Sequence, residues 1–146
     1  MTSWLEFIQQ APELATFGAA RFSSGVAYLA TVRPDGGPRV HPVTPILGEQ
    51  LFLFMEPTSP KCKDLLRDPR YTLHCAVENM EGGGGEFYVR GRTTLIDDID
   101  TREAAALAAP NTIRPPYILF ALSVEYAFMN TYEESNPGPR RWQSAG

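Results

Sequence analysis

The chain has 146 residues, 43% of them hydrophobic, and a formal net charge of −4 at pH 7. This size suits one small domain, residues 1–146, with a core of its own, and the acidic balance argues against nucleic acid as a partner. No apolar run is long enough to cross a bilayer, and the start of the chain lacks the parts of a signal peptide, so we expect a cytoplasmic protein without a membrane partner. The two cysteines and two histidines lack metal-ligand spacing, and we expect no metal site.

Two short helices are predicted near the start of the chain. Ser3 and Glu6 have the spacing of a capping box, in which each residue satisfies a free N–H group of the other at a helix start. Pro12 fits the first position of a second helix, whose apolar residues lie before Gly18. We expect both helices to cover one end of a sheet.

From residue 26 onward the hydrophobic pattern is typical of strands. The predicted strands are, in chain order, Val26–Val32, Arg39–Ile46, Leu51–Met55, Tyr71–Glu78, Phe87–Ile96 and Tyr117–Met129. The first is apolar on both faces, and we expect it to be well buried. The fifth contains Gly91, which indicates a bend or a bulge.

The second strand carries the polar residues of most interest. Alternation divides its side chains between two faces, with Arg39, His41 and Val43 on one and Val40, Pro42 and Thr44 on the other. Because proline has no N–H group to donate to a ladder, this strand should lie at a sheet edge or be bulged.

A helix with an anion-binding start is predicted after the third strand. Ser59 is a suitable N-cap and Pro60 a suitable first residue. The chain's only two lysines, Lys61 and Lys63, follow in the first turn, where free N–H groups and the helix dipole attract an anion such as phosphate. A surface helix with two solvated lysines is the alternative. Cys62 either has a lowered pKa at this helix start or is a small buried side chain.

The remaining segments carry weaker signals. The four glycines at 82–85 indicate a hairpin connection and not a phosphate loop, since no Gly-Lys-Ser/Thr closes the run. Asp100 is the expected N-cap of a helix that ends at Ala109. Residues 130–146 form a polar tail that either frays or contacts a partner subunit or ligand through Arg141 and Trp142.

The predicted elements define the fold class. About six strands with short flanking helices, without alternation of strand and helix, favour a mainly β (α+β) fold. We therefore expect an antiparallel barrel with helices at its ends.

The order and spacing of several motifs resemble one known family. These motifs are Val26–Val32, the Asp35-Gly36 turn, Arg39–Thr44, the Ser59-Pro60-Lys61 helix start with Asp68-Pro69-Arg70, and Gly91. They are similar to the pyridoxamine 5′-phosphate oxidase-like, FMN-binding split β-barrel family. The resemblance implies a homodimer with FMN in a groove between the subunits.

The resemblance also implies roles for individual residues. Arg39 and Lys61 would reach the flavin phosphate, while the strand ends would line the ring system. The expected cofactor-binding residues are Arg39, Val40, His41, Val43, Thr44, Phe54, Met55, Ser59, Lys61 and Lys63, with Lys63 in a secondary or solvated role. Glu86 falls where relatives often carry a glutamine that contacts the partner's flavin. No catalytic residue can be assigned, and His41 is either a proton donor or a structural histidine.

These implications lead to one leading function and three competing hypotheses. The leading function is an FMN-dependent oxidoreductase acting on an unidentified small organic substrate; the substrate-phosphate ligands of the oxidase itself are not found. In the second hypothesis the deazaflavin F420 replaces FMN, and its longer anionic tail would need further basic residues such as Arg67 and Arg70. The third is a non-catalytic flavin- or haem-binding module, and the fourth is a dimeric barrel with an empty groove.

Overall fold

The chain forms a curled antiparallel sheet with short helices around it, as described by a computed structural model for residues 1–132 and 138–145. The helices are α1 (Trp4–Gln10), α2 (Pro12–Ser23), α3 (Pro60–Arg67) and α4 (Ile99–Ala108). The strands are β1 (Ala27–Val32), β2 (Pro38–Val43), β3 (Ile46–Leu47), β4 (Leu51–Met55), β5 (Arg70–Cys75), β6 (Glu86–Ile96), β7 (Ile118–Leu122), β8 (Tyr126–Asn130) and β9 (Arg140–Gln143). Among these helices, none has the length and apolar character that a membrane span requires.

The sheet divides into two halves along β6. The strand order is β2-β1-β5-β6-β7-β4-β3, and β8 pairs with both β6 and β9. The first half of β6 pairs with β5 and β8, whereas its second half pairs with β7. This arrangement confirms the predicted antiparallel split barrel.

The division occurs next to Gly91, as the glycine in the predicted strand indicated. A Cβ atom at this position would lie 2.3 Å from the carbonyl oxygen of Ser123, in the link between β7 and β8. The Ser123 backbone N–H donates to Arg92 O, and the Arg92 N–H donates to Ser123 Oγ. Gly91 is therefore required for the close approach of two chain segments.

The structure has more strands than the six predicted. The predicted strand Tyr117–Met129 is two strands, β7 and β8, because the chain turns at Ser123. The polar tail, which was expected either to fray or to contact a partner subunit or ligand, contains β9, which pairs with β8. The tail residues 133–137 and 146 lie outside the described residues.

Two further expectations from the sequence are wrong: the burial of both faces of β1 and the identity of the N-cap of α4. Only one face of β1 is buried, and Tyr28 on the other face is 45% exposed. Helix α4 is capped by Asp98, whose carboxylate accepts the Thr101 N–H at 2.8 Å, so Asp100 lies in the first turn instead.

The helices close the core at both sides of the sheet. The capping box at Ser3 is present, and α1 buries Trp4 and Phe7 in the main core. Helix α2 continues through Gly18, and the Phe87 ring lies 2.2 Å from where a Cβ of residue 18 would lie, so a glycine is needed at this position. Trp142 of β9 packs on Phe7 at 5.0 Å, so its ring is partly buried. A smaller apolar cluster lies beneath α4.

Candidate functional site

Helix α3 begins as the sequence predicts. Ser59 Oγ accepts the Cys62 N–H at 3.3 Å and donates to Glu56 O at 2.8 Å, and Pro60 is the first helical residue. Cys62 is fully buried, and this burial raises the pKa of its thiol. Cys62 is therefore the small buried side chain and not an activated thiol.

A buried carboxylate lies beneath the same helix. Asp64 is 1% exposed, and its Oδ2 accepts hydrogen bonds from Thr31 Oγ1 at 2.8 Å and Arg39 Nε at 2.7 Å. Its Oδ1 accepts from Arg67 Nη2 at 3.0 Å. Burial alone would raise the pKa of Asp64, but these hydrogen bonds outweigh it and the pKa is lowered.

Arg39 is thereby fixed on the side of β2 that faces α3. Its bond to Asp64 uses Nε, and within the described residues no bond to its Nη groups is seen. The terminal nitrogens can thus donate to another acceptor, the geometry that phosphate recognition needs.

His41 shares this face of β2. Burial lowers the pKa of His41, and the nearby Lys61 and Arg39 cations lower it further. The imidazole is therefore mainly neutral at pH 7, so it is a poor proton donor at that pH.

A cavity of about 350 Å³ lies between the end of β2, the end of β4, the start of α3 and the segment after α4. Six of the ten expected cofactor-binding residues line it: Val43, Thr44, Phe54, Met55, Ser59 and Lys61. Lys61 and Ser59 at the start of α3 line it, and so do the apolar and aromatic side chains of Ile46, Phe54 and Tyr117. The lining thus combines a cation with aromatic and apolar surface.

The other four expected residues do not line this cavity. Arg39 and His41 lie next to it. Arg39 is bound to Asp64, and the charge of Lys61 contributes to the lowered pKa of His41. Val40 points to the opposite face of β2 and is 62% exposed. Lys63 is an exposed residue on the outer side of α3.

Several lining residues were missed from the sequence. Glu56, Asn111, Thr112, Arg114 and Tyr117 all line the cavity. The register that pairs Met55 with Ile118 brings the residues before β7 next to the residues after β4. The residues before β7 carry no local sequence motif, so their place in the cavity lining follows only from the pairing of β4 with β7.

The segment after α4 is tied to the cavity wall. The Arg102 guanidinium lies 5.2 Å from the centre of the Phe54 ring, and its Nη2 donates to Pro115 O at 3.5 Å. These contacts hold one face of Phe54 while the residue lines the cavity.

Glu86 is not among the described residues that line this cavity. It accepts a hydrogen bond from the Tyr132 hydroxyl and lies 3.6 Å from His74 Nε2. Among the described residues no group of three or more histidine, cysteine, aspartate and glutamate side chains is arranged to hold a metal ion.

Comparisons with known proteins identify relatives of this architecture. A family model for pyridoxamine 5′-phosphate oxidase matches residues 12–130. No curated protein matches the chain.

Three solved structures illustrate the shared fold. A NimC/NimA family protein from Clostridium acetobutylicum is 17% identical, with a TM-score of 0.70 over 97% of this chain and 94% of that one. A protein of the pyridoxinephosphate oxidase family from the same organism, related to a general stress protein, is 14% identical, with a TM-score of 0.63 and 95% of both chains covered. A haem-binding protein from Mycobacterium smegmatis is 16% identical, with a TM-score of 0.67 over 87% of this chain, which spans only 57% of that protein.

Proposed function

The chain belongs to the pyridoxamine 5′-phosphate oxidase family, and we propose that it is an oxidoreductase that binds FMN in the cavity at the start of α3. Its substrate would be a small organic molecule that exchanges a hydride with the flavin. As the resemblance implies, the working form would be a homodimer with the flavin between subunits.

One observation carries this proposal: Lys61 and Phe54 line the same cavity. A flavin mononucleotide has an anionic phosphate at one end and a flat ring system at the other. The ammonium of Lys61 and the capped start of α3 suit the phosphate, and the apolar wall around Phe54 suits the ring. The volume of about 350 Å³ is within the range of cofactor sites.

The protein's own residues would bind and orient this cofactor. Lys61 supplies a point charge, and Arg39, held by Asp64, supplies terminal N–H groups at the adjoining edge. Arg114 adds a second cation to the cavity lining. FMN, when bound, supplies the hydride-transfer chemistry, and the protein supplies position and electrostatics.

Arg67 and Arg70, the basic residues named for the deazaflavin hypothesis, do not support it. Arg67 Nη2 donates to Asp64 Oδ1 and to Val32 O, and Arg70 pairs with Asp68 at 2.7 Å. Neither arginine lines the cavity. Arg114 is the arginine that does, so an anionic tail longer than that of FMN would have to use it.

The haem hypothesis has support from one structural relative, since the relative from M. smegmatis is a haem-binding protein. Of the residue types that bind haem iron, the described lining of this cavity supplies Met55 and Tyr117 but no histidine or cysteine. The cavity chemistry therefore supports haem less well than a cofactor with a phosphate group, for which Lys61 is present.

The experiment that tests the proposal is the visible spectrum and mass of the molecule that co-purifies with the protein. We expect a yellow protein that releases FMN on denaturation, or a colourless one that binds added FMN with quenching of flavin fluorescence. A bound deazaflavin, a Soret band, or no binding of FMN on titration would overturn the proposal.

A further inference from the structure

A second cavity, of about 390 Å³, opens on the outer side of the sheet, the side opposite the main core. It lies over β1, β5 and β6 and is bordered by the turn between β1 and β2. Among the described residues, none lines both this cavity and the one at the start of α3. Its volume is within the range of small-ligand sites. The proposed flavin site therefore leaves this second cavity unassigned.

Small side chains form the floor of the second cavity. Ala30 on β1 pairs with Thr72 on β5, and Thr72 pairs with Arg90 on β6. Because Ala30 follows the fully buried Leu29, its side chain is on the outer side of the sheet. A low floor between the turn at Gly36 and the long side chain of Arg90 produces the depression.

Three arginines line the second cavity. Arg70 on β5 is directly opposite Arg92 on β6, and Arg90 is two residues before Arg92 on the same face of its strand. Like charges at directly opposite positions destabilise a sheet. Glu125 is the one acidic residue among the described lining residues, so the lining is positive although the chain has a net charge of −4. A local excess of positive charge attracts an anion.

Two of these arginines have carboxylate partners of unequal quality. Arg70 donates to both carboxylate oxygens of Asp68, at 3.0 Å from Nε and 2.7 Å from Nη2. Arg92 Nε is 3.6 Å from Glu125 Oε1, which is longer than a hydrogen bond. Arg92 can therefore donate to a ligand without breaking a good hydrogen bond, whereas Arg70 is committed to Asp68.

Arg90 is the cation most available to a ligand. Within the part of the chain that the structure describes it has no carboxylate partner, and its guanidinium lies 4.1 Å from the centre of the Tyr126 ring. Stacking uses the face of the guanidinium and leaves the N–H groups at its edge for an acceptor. Arg90 and Arg92 thus present two guanidinium forks to one cavity, the arrangement that suits a carboxylate or a phosphate.

Apolar groups line the side of the cavity opposite these forks. Val32 at the end of β1 pairs with Pro38 at the start of β2, and both line the cavity together with Ala30. In the strand order, β1 and β6 are separated only by β5, so the apolar side and the forks are two strand spacings, about 10 Å, apart. This span fits a ligand with a charged group and an apolar body about the size of one ring.

We propose that the second cavity binds a small organic anion, with its carboxylate or phosphate group at Arg90 and Arg92 and its apolar body over Ala30 and Val32. The binding is reversible and involves no covalent step. It uses none of the residues proposed to hold FMN, so it is independent of the proposed function.

Isothermal titration calorimetry with benzoate, phenyl phosphate and benzamide tests this proposal. The three probes share one ring and differ in the group attached to it, which is a carboxylate, a phosphate or a neutral amide. We expect at least one anion to bind, and benzamide to bind at least about tenfold more weakly; the tighter anion identifies the charged group. Equal binding of benzamide, or no binding of either anion at millimolar concentration, would overturn the proposal.

Substitution of the arginines locates the bound anion. Arg90→Gln and Arg92→Gln should each weaken binding of the tighter anion by about tenfold or more, because each loses a charge-assisted hydrogen bond. Arg33→Gln is the matched control, since Arg33 is a half-exposed arginine beside the turn but does not line the cavity, and its affinity should be that of the wild type. Unchanged affinity in both Arg90→Gln and Arg92→Gln would overturn the proposal.

Two further variants separate the second cavity from the one at the start of α3. Ala30→Leu keeps every charge but fills the floor, so it should abolish anion binding with unchanged circular dichroism. Lys61→Ala should bind the anion as the wild type does, because Lys61 lines the other cavity. Binding lost in Lys61→Ala but retained in Ala30→Leu would overturn the proposal. A protein that binds the anion as expected but no FMN would overturn the proposed function alone.

Discussion

Arg39 Nε on the edge strand β2 donates to Asp64 Oδ2 on α3 at a distance of 2.7 Å. This bond joins the strand that borders the cavity to the helix that carries Lys61. Thr31 and Arg67 donate to the same carboxylate, so three chain segments are fixed by one buried anion. The position of the candidate phosphate site therefore depends on Asp64, a residue that does not line the cavity.

Asp64→Asn should destabilise the fold markedly. The substitution removes the anion that three donors share, and because the Arg39 and Arg67 side chains remain partly exposed, the expected cost is about 1–3 kcal/mol. Urea denaturation at pH 7 measures this loss. Asp68→Asn is the control, because its pair with Arg70 is exposed to solvent and contributes little. Equal unfolding free energies for the two variants would contradict the role of Asp64.

His74 should make stability fall on the alkaline side of neutrality. Its pKa is raised to about 9 from an ordinary value of 6.5. Because the folded-state value is higher, this contribution is complete below about pH 6.5 and is lost as the pH rises through 9. We expect the unfolding free energy of the wild type to decrease more steeply between pH 7 and 10 than that of His74→Gln.

His41→Gln is the control for this pH dependence. The pKa of His41 is lowered by burial and by the neighbouring cations, so its contribution is lost as the pH falls below about 6.5. This variant should retain the wild-type slope above pH 7. Parallel curves for the wild type and His74→Gln above pH 7 would contradict the raised pKa of His74.

Gly91→Ala should destabilise the protein by about 1–3 kcal/mol, the usual cost of overpacking. The added Cβ would lie 2.3 Å from the backbone oxygen of Ser123, and backbone cannot move aside as a side chain can. Thermal or urea unfolding measures the effect. Gly48→Ala is the matched control, since the nearest atom to its added Cβ is 3.9 Å away, and it should remain close to the wild type. A Gly91→Ala protein as stable as that control would show that the two segments can separate.

Much of the fold was predictable because local chemistry fixes it. Pro42 lacks an N–H group, and β2 is at the sheet edge as expected. Ser59 and Pro60 determine the start of α3 in the same way. The division of β7 from β8 was not predictable, because the residues are continuously apolar and the turn depends on the distant hydrogen bonds between Ser123 and Arg92.

The candidate site was partly predictable for a similar reason. Lys61 and Phe54 belong to recognisable local patterns and line the cavity. Arg114 reaches it only through the pairing of Met55 with Ile118, a register that no short motif encodes. Asp64 was missed because its three donors come from β1, β2 and the end of α3.

The central claim is that Lys61 binds the phosphate of a flavin, and the affinity of Lys61→Ala for FMN tests it most directly. Lys63→Ala is the control, since both lysines are in the first turn of α3 but only Lys61 lines the cavity. Fluorescence titration should show FMN binding weakened by a factor of about ten or more in Lys61→Ala, which is about 1.4 kcal/mol, and unchanged in Lys63→Ala. An affinity for FMN that is the same in the wild type and Lys61→Ala, or that falls equally in both variants, would contradict the account.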